Sequence, residues 1–165
     1  MRKAGVSKEV KKEVKPESKL YAVVRVRGGF KIRRDFKDTL RFLRLNKKHH
    51  CVLIKDSPVN KGMITKLNDY VTWGVINKEV LKELIKKRGR LKGHKKLALN
   101  NKELDSLIND LMSGKKSIED VGINPVFRLT PPRKGWERGT IKLRYPRGGL
   151  GPRGDKINEL LKRMI

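Results

Sequence analysis

The sequence predicts an α+β fold: a two-layer α/β sandwich of order β-α-β-α-β over residues 20–76, with a helical and basic-loop extension over 77–165 packed on it and a basic arm over 1–19 in front. Three observations lead there. Short β-rich runs alternate with short amphipathic stretches inside a window of 57 residues. Each of those stretches carries one apolar stripe, which needs a sheet face to cover. After residue 76 the apolar residues recur at helical spacing, broken by loops rich in Gly, Pro and basic residues.

The elements follow in order. Leu20-Tyr21-Ala22-Val23-Val24-Arg25-Val26-Arg27 is β-rich and stops at Gly28-Gly29, which marks the first strand. Its second half alternates Val24 and Val26 with Arg25 and Arg27, so a period of two sets both arginines on one face. Asp35 with Asp38 three residues on resembles a capping box, and the helix it opens carries Phe36, Leu40 and Leu43. His50-Cys51-Val52-Leu53-Ile54 is the second strand. Ser57-Pro58 supplies an N-cap and a first-turn proline for a helix with Val59, Met63 and Leu67 on one side. Tyr70–Ile76 is the third strand.

Asn77 then caps a helix bearing Val80, Leu81, Leu84 and Ile85, and Asn100 or Asn101 starts another through Leu104, Leu107, Ile108 and Leu111. Ser117-Ile118-Glu119-Asp120 reads as a capped single turn closed by Gly122. Residues 125–154 read as an extended loop pair around a strand at Thr140–Tyr145. Asp155 caps a final helix through Ile157, Leu160, Leu161 and Met164.

Charge narrows the function. Lys and Arg total 43 against 17 Asp and Glu, a formal net charge of +26 on 165 residues. Self-repulsion of that size calls for a polyanion partner, and released counterions make nucleic acid the expected one. An anionic membrane is the other polyanion, but no apolar run approaches the roughly 18 residues of a spanning helix. No signal-peptide h-region follows Met1, so a cytoplasmic location is expected. The single Cys51 excludes an internal disulfide, and with three His it assembles no zinc cluster, so no metal or cofactor is expected. With 36% hydrophobic residues, one modest core is expected rather than two.

Catalytic sets fail on geometry. Cys51 and His50 are adjacent in a strand and point to opposite faces, so they do not converge. Gly149-Leu150-Gly151-Pro152-Arg153-Gly154 spells G-x-G-x-x-G, but no βαβ unit or acid at the required distance follows it in this sequence. As a Gly-rich loop before a helix it can still offer N–H groups to a phosphate. No enzyme and no small-molecule substrate is expected.

The candidate RNA contacts are the weakly compensated basic residues in or beside loops. Around the end of the first strand these are Arg25, Arg27, Lys31, Arg33 and Arg34, with Phe30 between them as either a stacking ring or an apolar cover. Lys47 and Lys48 precede the second strand, and Lys61 lies in the second helix. The run from Lys86 to Lys96 holds seven basic residues and no acid, and offers Arg88, Arg90, Lys92, His94, Lys95 and Lys96. Downstream come Arg128, Arg133, Lys134, Arg138, Arg144, Arg147 and Arg153. Trp136, between Gly135 and Arg138, either stacks on an unpaired base or covers the protein's own apolar edge. Trp73, inside a strand, reads as core. A free-standing RNA- or DNA-binding regulator is the second reading, and neither a heptad repeat nor a helix-turn-helix supports it.

The stretch Leu20–Ile76 resembles the universal large-subunit ribosomal protein family called L-thirty, whose eukaryotic members are called L-seven. The resemblance lies in Thr39-Leu40, Leu43, Leu45, Lys47, His50, Val52, Met63-Ile64, Leu67 and Tyr70-Val71, with the Asp56-Ser57-Pro58 turn and Lys61-Gly62-Met63. Phe127-Arg128-Leu129, Pro131-Pro132-Arg133-Lys134-Gly135 and Asp155-Lys156-Ile157-Asn158 resemble the longer archaeal and eukaryotic forms. The short arm and the absence of glutamine favour the archaeal type. The resemblance implies a ferredoxin-like core, binding to large-subunit ribosomal RNA beside neighbouring ribosomal proteins, and no catalysis. It carries no compact RNA-contact motif, so the candidate residues rest on charge and loop placement alone.

Overall fold

Leu20–Arg25 forms strand β1, His50–Lys55 β2 and Val71–Val75 β3, and β1 pairs antiparallel with both others. This computed structural model describes residues 19–91, 93, 95, 97, 100–136 and 141–165. Helix α1 spans Arg34–Phe42 and α2 Pro58–Lys66, giving the expected β-α-β-α-β core with β1 at its centre. It is a ferredoxin-like arrangement. The rest of the chain adds α3 (Lys78–Arg88), α4 (Asn101–Met112), β4 (Val126–Arg128), β5 (Gly151–Pro152) and α5 (Ile157–Met164).

Period-two alternation sorts the strand side chains between two cores. Val23, Val52, Ile54 and Val71 face Leu40, Leu43, Ile64 and Leu67 from α1, α2 and the residues after them. Leu20, Ala22, Val24, Cys51 and Leu53 face the opposite way, onto Leu81, Leu84, Ile108, Leu160 and Met164 from α3, α4 and α5. The sheet is therefore covered on both sides, and its strands read as nearly continuous apolar runs for that reason. The extension turns two layers into three.

Several local expectations need correction. α1 starts one residue before Asp35 and makes no side-chain cap; Asp35 instead sits in the first turn, where it favours the helix dipole. In α2, Val59 is 64% exposed, and the buried stripe is Ile64 and Leu67 with Met63 half covered. Asp155 lies in a 3-10 turn, Gly154–Lys156, that feeds α5 without a side-chain cap. No strand forms at 141–145: Leu143 and Arg144 carbonyls accept from Leu150 and Gly148 N–H groups, folding the segment into a compact turn. The Ser117 turn is as expected, with Ser117 N–H donating to Asp120 Oδ2 at 2.7 Å and Gly122 at φ +76°.

The extension also supplies both outer strands, in the order β4-β2-β1-β3-β5. β4 is antiparallel to β2, pairing His50 with Arg128, and β5 is parallel to β3. Gly74 lets the 3-10 turn and the helix that follow β5 approach β3. A Cβ there would overlap the Gly154 carbonyl and the Ile157 side chain.

Candidate nucleic-acid interface

The strand directions gather most of the candidate loops at one end of the sheet. β1 leaves there, β2, β3 and β5 begin there, and β4 ends there, because Val24 pairs with Cys51, Arg25 with Val71, Arg128 with His50 and Gly151 with Thr72. The loops 26–33, 43–49, 67–70, 129–136 and 141–150 consequently emerge together. Contacts tie them to each other. Lys48 lies against the Gly28 backbone, His49 N–H donates to Arg25 O, and Leu129 N–H donates to His49 O. Arg27 donates to Asp69 O at 3.2 Å and lies over the Tyr70 ring, while Arg144 pairs with the Asp69 carboxylate at 3.2 Å.

On this end Lys31, Arg33, Arg34, Lys47, Lys48 and Arg128 are exposed, as are Arg133, Lys134, Arg144 and Arg147. Arg27 is half-buried. Phe30 is 88% exposed at the tip of its loop, with Lys31 Nζ 5.5 Å from the ring centre. A bare ring among cations suits stacking on an unpaired base. Trp136 is more occupied: it is half-buried, packs on the larger core, stacks on His49 with ring centres 6.2 Å apart, and backs onto Gly149. Its ring does cover an apolar edge. Trp73 is half-buried and donates through Nε1 to Asn68.

Three candidates are placed elsewhere or engaged. Arg25 is 5% exposed, and its guanidinium donates to the carbonyls of Leu45, Asn46 and Arg27. β1 ends at Arg25, so Arg27 lies beyond the strand, and the loop after α1 encloses the Arg25 side chain; it is internal, and burial lowers its pKa. Arg153 is 4% exposed; it donates to Thr72 Oγ1 and Gly148 O and lies over Tyr145. Lys61 sits at the opposite end of the sheet, paired with Asp56 at 2.7 Å. Its ammonium pKa is raised by that carboxylate. The glycine-rich segment 149–154 also serves packing, since Gly151 O accepts from Thr72 and Arg153 N–H donates to Trp73 O.

Arg88 and Arg90 are half-buried where α3 ends, and Lys95 is exposed. Lys92, His94, Lys96 and Arg138 lie outside the described residues, as does almost all of the 1–19 arm. Lys142, exposed between Ile141 and Leu143, belongs with the group and was not among the sequence candidates; its place in the same basic loop as Arg144 was the available signal. His49 and His50 have pKa values lowered first by burial, then by Lys48 for His49 and by Arg128 and Lys47 for His50. Cys51 is fully buried, and burial pushes its thiol up to about 12. Among the described residues no group of three His, Cys, Asp or Glu is placed to hold a metal, and no helix is long and apolar enough to cross a membrane.

Residues 21–71 match the family model described as ribosomal protein L30p/L7e. The chain is 47% identical over 152 residues to the large ribosomal subunit protein uL30 of Methanococcus vannielii, covering 88% of this chain and 99% of that one. The chain belongs to the ribosomal protein L30p/L7e family. Likeness to the proteins of the same name from Archaeoglobus fulgidus, 43% identical over 153 residues, and Nanoarchaeum equitans, 42% over 153, again covers 88% of this chain and 99% of the relative. The L30p/L7e family model stops at the start of β3, whereas these archaeal relatives match through the extension as well. Members of the L30p/L7e family are structural and non-enzymatic, as the resemblance had implied.

Proposed function

We propose that this L30p/L7e-family chain is a structural constituent of the large ribosomal subunit that binds and stabilises large-subunit ribosomal RNA during assembly and translation. It works on the ribosome in the cytoplasm, beside neighbouring ribosomal proteins. The observation that carries the reading is likeness over 88% of the chain to proteins named for the large ribosomal subunit. The gathered basic loops support it physically. Exposed Lys47, Lys48, Arg133 and Lys134 neutralise phosphates, Arg128 and Arg147 offer the planar fork that suits phosphate oxygens, and Phe30 stacks on a base. Arg25, Arg153 and Lys61 are framework residues in this reading.

Fractionation of a native lysate on a density gradient after a high-salt wash tests it. The chain is expected in the large-subunit particle. Recovery only in light, ribosome-free fractions would turn the reading to a free-standing RNA- or DNA-binding regulator.

A further inference from the structure

Where α3 ends, the chain turns back against β4 and leaves a polar recess of about 190 Å³ lined by Arg88, Arg90, Asn124, Val126 and Arg128. Three arginine side chains line it, and among the described residues no Asp or Glu is in the lining. The protein has reasons of its own for part of this. Arg88 Nη2 donates to Ile165 O at 2.9 Å and lies 3.4 Å from Thr130 Oγ1, and Arg90 Nη1 donates to Gly89 O at 3.0 Å. Those bonds orient the side chains without exhausting them, since each guanidinium has five N–H donors. Asn124 is fixed from both sides: its N–H donates to Arg90 O, and its Oδ1 accepts from Val126 N–H. Its NH2 group is the donor that the side chain adds to the recess. The lining is thus rich in N–H donors.

We infer that this recess is a binding site for a phosphodiester group of RNA, with Arg88, Arg90 and Arg128 converging on one phosphate and Asn124 donating beside them. The inference rests on the ribosomal RNA reading and gives it a specific anchor. Size and shape select the ligand. The recess is smaller than the roughly 300–1,000 Å³ of sites that hold whole small molecules, so it takes a group. A planar carboxylate matches one guanidinium fork, whereas a tetrahedral phosphate presents oxygens in several directions to three forks. Arg128 also lies opposite His50 on β2, so the anchor joins the edge of the sheet to the basic loops at its end.

The test compares the intact protein with Arg90→Gln/Arg128→Gln and with a charge-matched control, Lys82→Gln/Lys116→Gln, whose lysines are paired with Asp105 and Asp110. Binding to deproteinised large-subunit ribosomal RNA is measured from about 50 to 200 mM salt. Relative to the control, the recess variant is expected to bind about tenfold more weakly and to lose about one unit from the slope of log affinity against log salt. A recess variant that tracks the control overturns the proposal and leaves the ribosomal reading standing. An unmodified protein that does not bind this RNA overturns the reading beneath it.

Inorganic phosphate, titrated while the Arg Nε–H resonances are followed, separates a free-anion site. Shifts at Arg90 and Arg128 without any change in RNA affinity on substitution would sink the RNA assignment. So would a recess variant that binds the RNA like the control yet washes off the intact subunit, which would point to a protein carboxylate. Arg128 is exposed, so Arg128→Gln alone serves if the double variant is unstable, with a smaller expected loss in the same direction.

Discussion

The Arg25 guanidinium holds the carbonyls of Leu45, Asn46 and Arg27 from inside the protein, with its shortest bond at 2.6 Å to Leu45 O. Replacing it with Met removes the donor from the buried Leu45 carbonyl and from two part-buried ones, which costs about 3 kcal/mol, and Arg25→Lys recovers little because a compact ammonium cannot span three acceptors. Chemical denaturation is expected to show that loss while the salt slope of RNA binding stays unchanged. Lys134 presents the opposite case. Lys31, Arg44, His49 and Lys134 all adopt positive φ, from 50° to 64°, a conformation that costs a side-chain-bearing residue roughly 1 kcal/mol. Lys134→Gly is expected to keep or raise the melting temperature while weakening RNA binding, which calorimetry and a binding titration separate. His49 and His50 set a pH dependence. Their folded pKa values lie below the ordinary 6.5, so the unfolded chain takes up protons that the folded chain refuses. Stability is therefore full above about pH 6.5 and declines as pH falls below it, and melting curves between about pH 7.5 and 5.5 should be flatter for His49→Gln.

At the scale of elements, β4 and Gly74 decide how the sheet is finished. Phe127 is fully buried at the centre of β4. Phe127→Ala is expected to cost about 3–5 kcal/mol, read as a lowered denaturant midpoint. Periodicity made most long elements legible: Val80, Leu81, Leu84 and Ile85 in α3, and Ile157, Leu160, Leu161 and Met164 in α5, are all buried as their spacing implies. The outer strands were not legible. Three residues in β4 and two in β5 are too few to show alternation, and their pairing depends on distant partners such as Cys51 and Thr72. Arg25 and Arg153 were misplaced because composition cannot tell an arginine that faces solvent from one that supplies donors to loop carbonyls. The shared end of the sheet was hidden as well, since it follows from strand direction and register. Cys51 illustrates what was legible: the strand pattern separates it from His50, and its buried thiol is expected to resist alkylation until the chain unfolds.

Across the whole molecule, one sheet serves two apolar cores, and the second is built almost wholly from the extension. A chain cut after residue 76 would expose Ala22, Val24, Cys51 and Leu53 together, and it is expected to aggregate or bind a hydrophobic dye under conditions where the intact protein does neither. Sheet order carries a further consequence for biosynthesis. β1 is central and the first strand made, whereas the two outer edges of the sheet are completed by β4 at 126–128 and β5 at 151–152. α5, at 157–164, then seals the face beneath them. A nascent chain therefore keeps that apolar face open until residues 157–164 have left the ribosome that makes it.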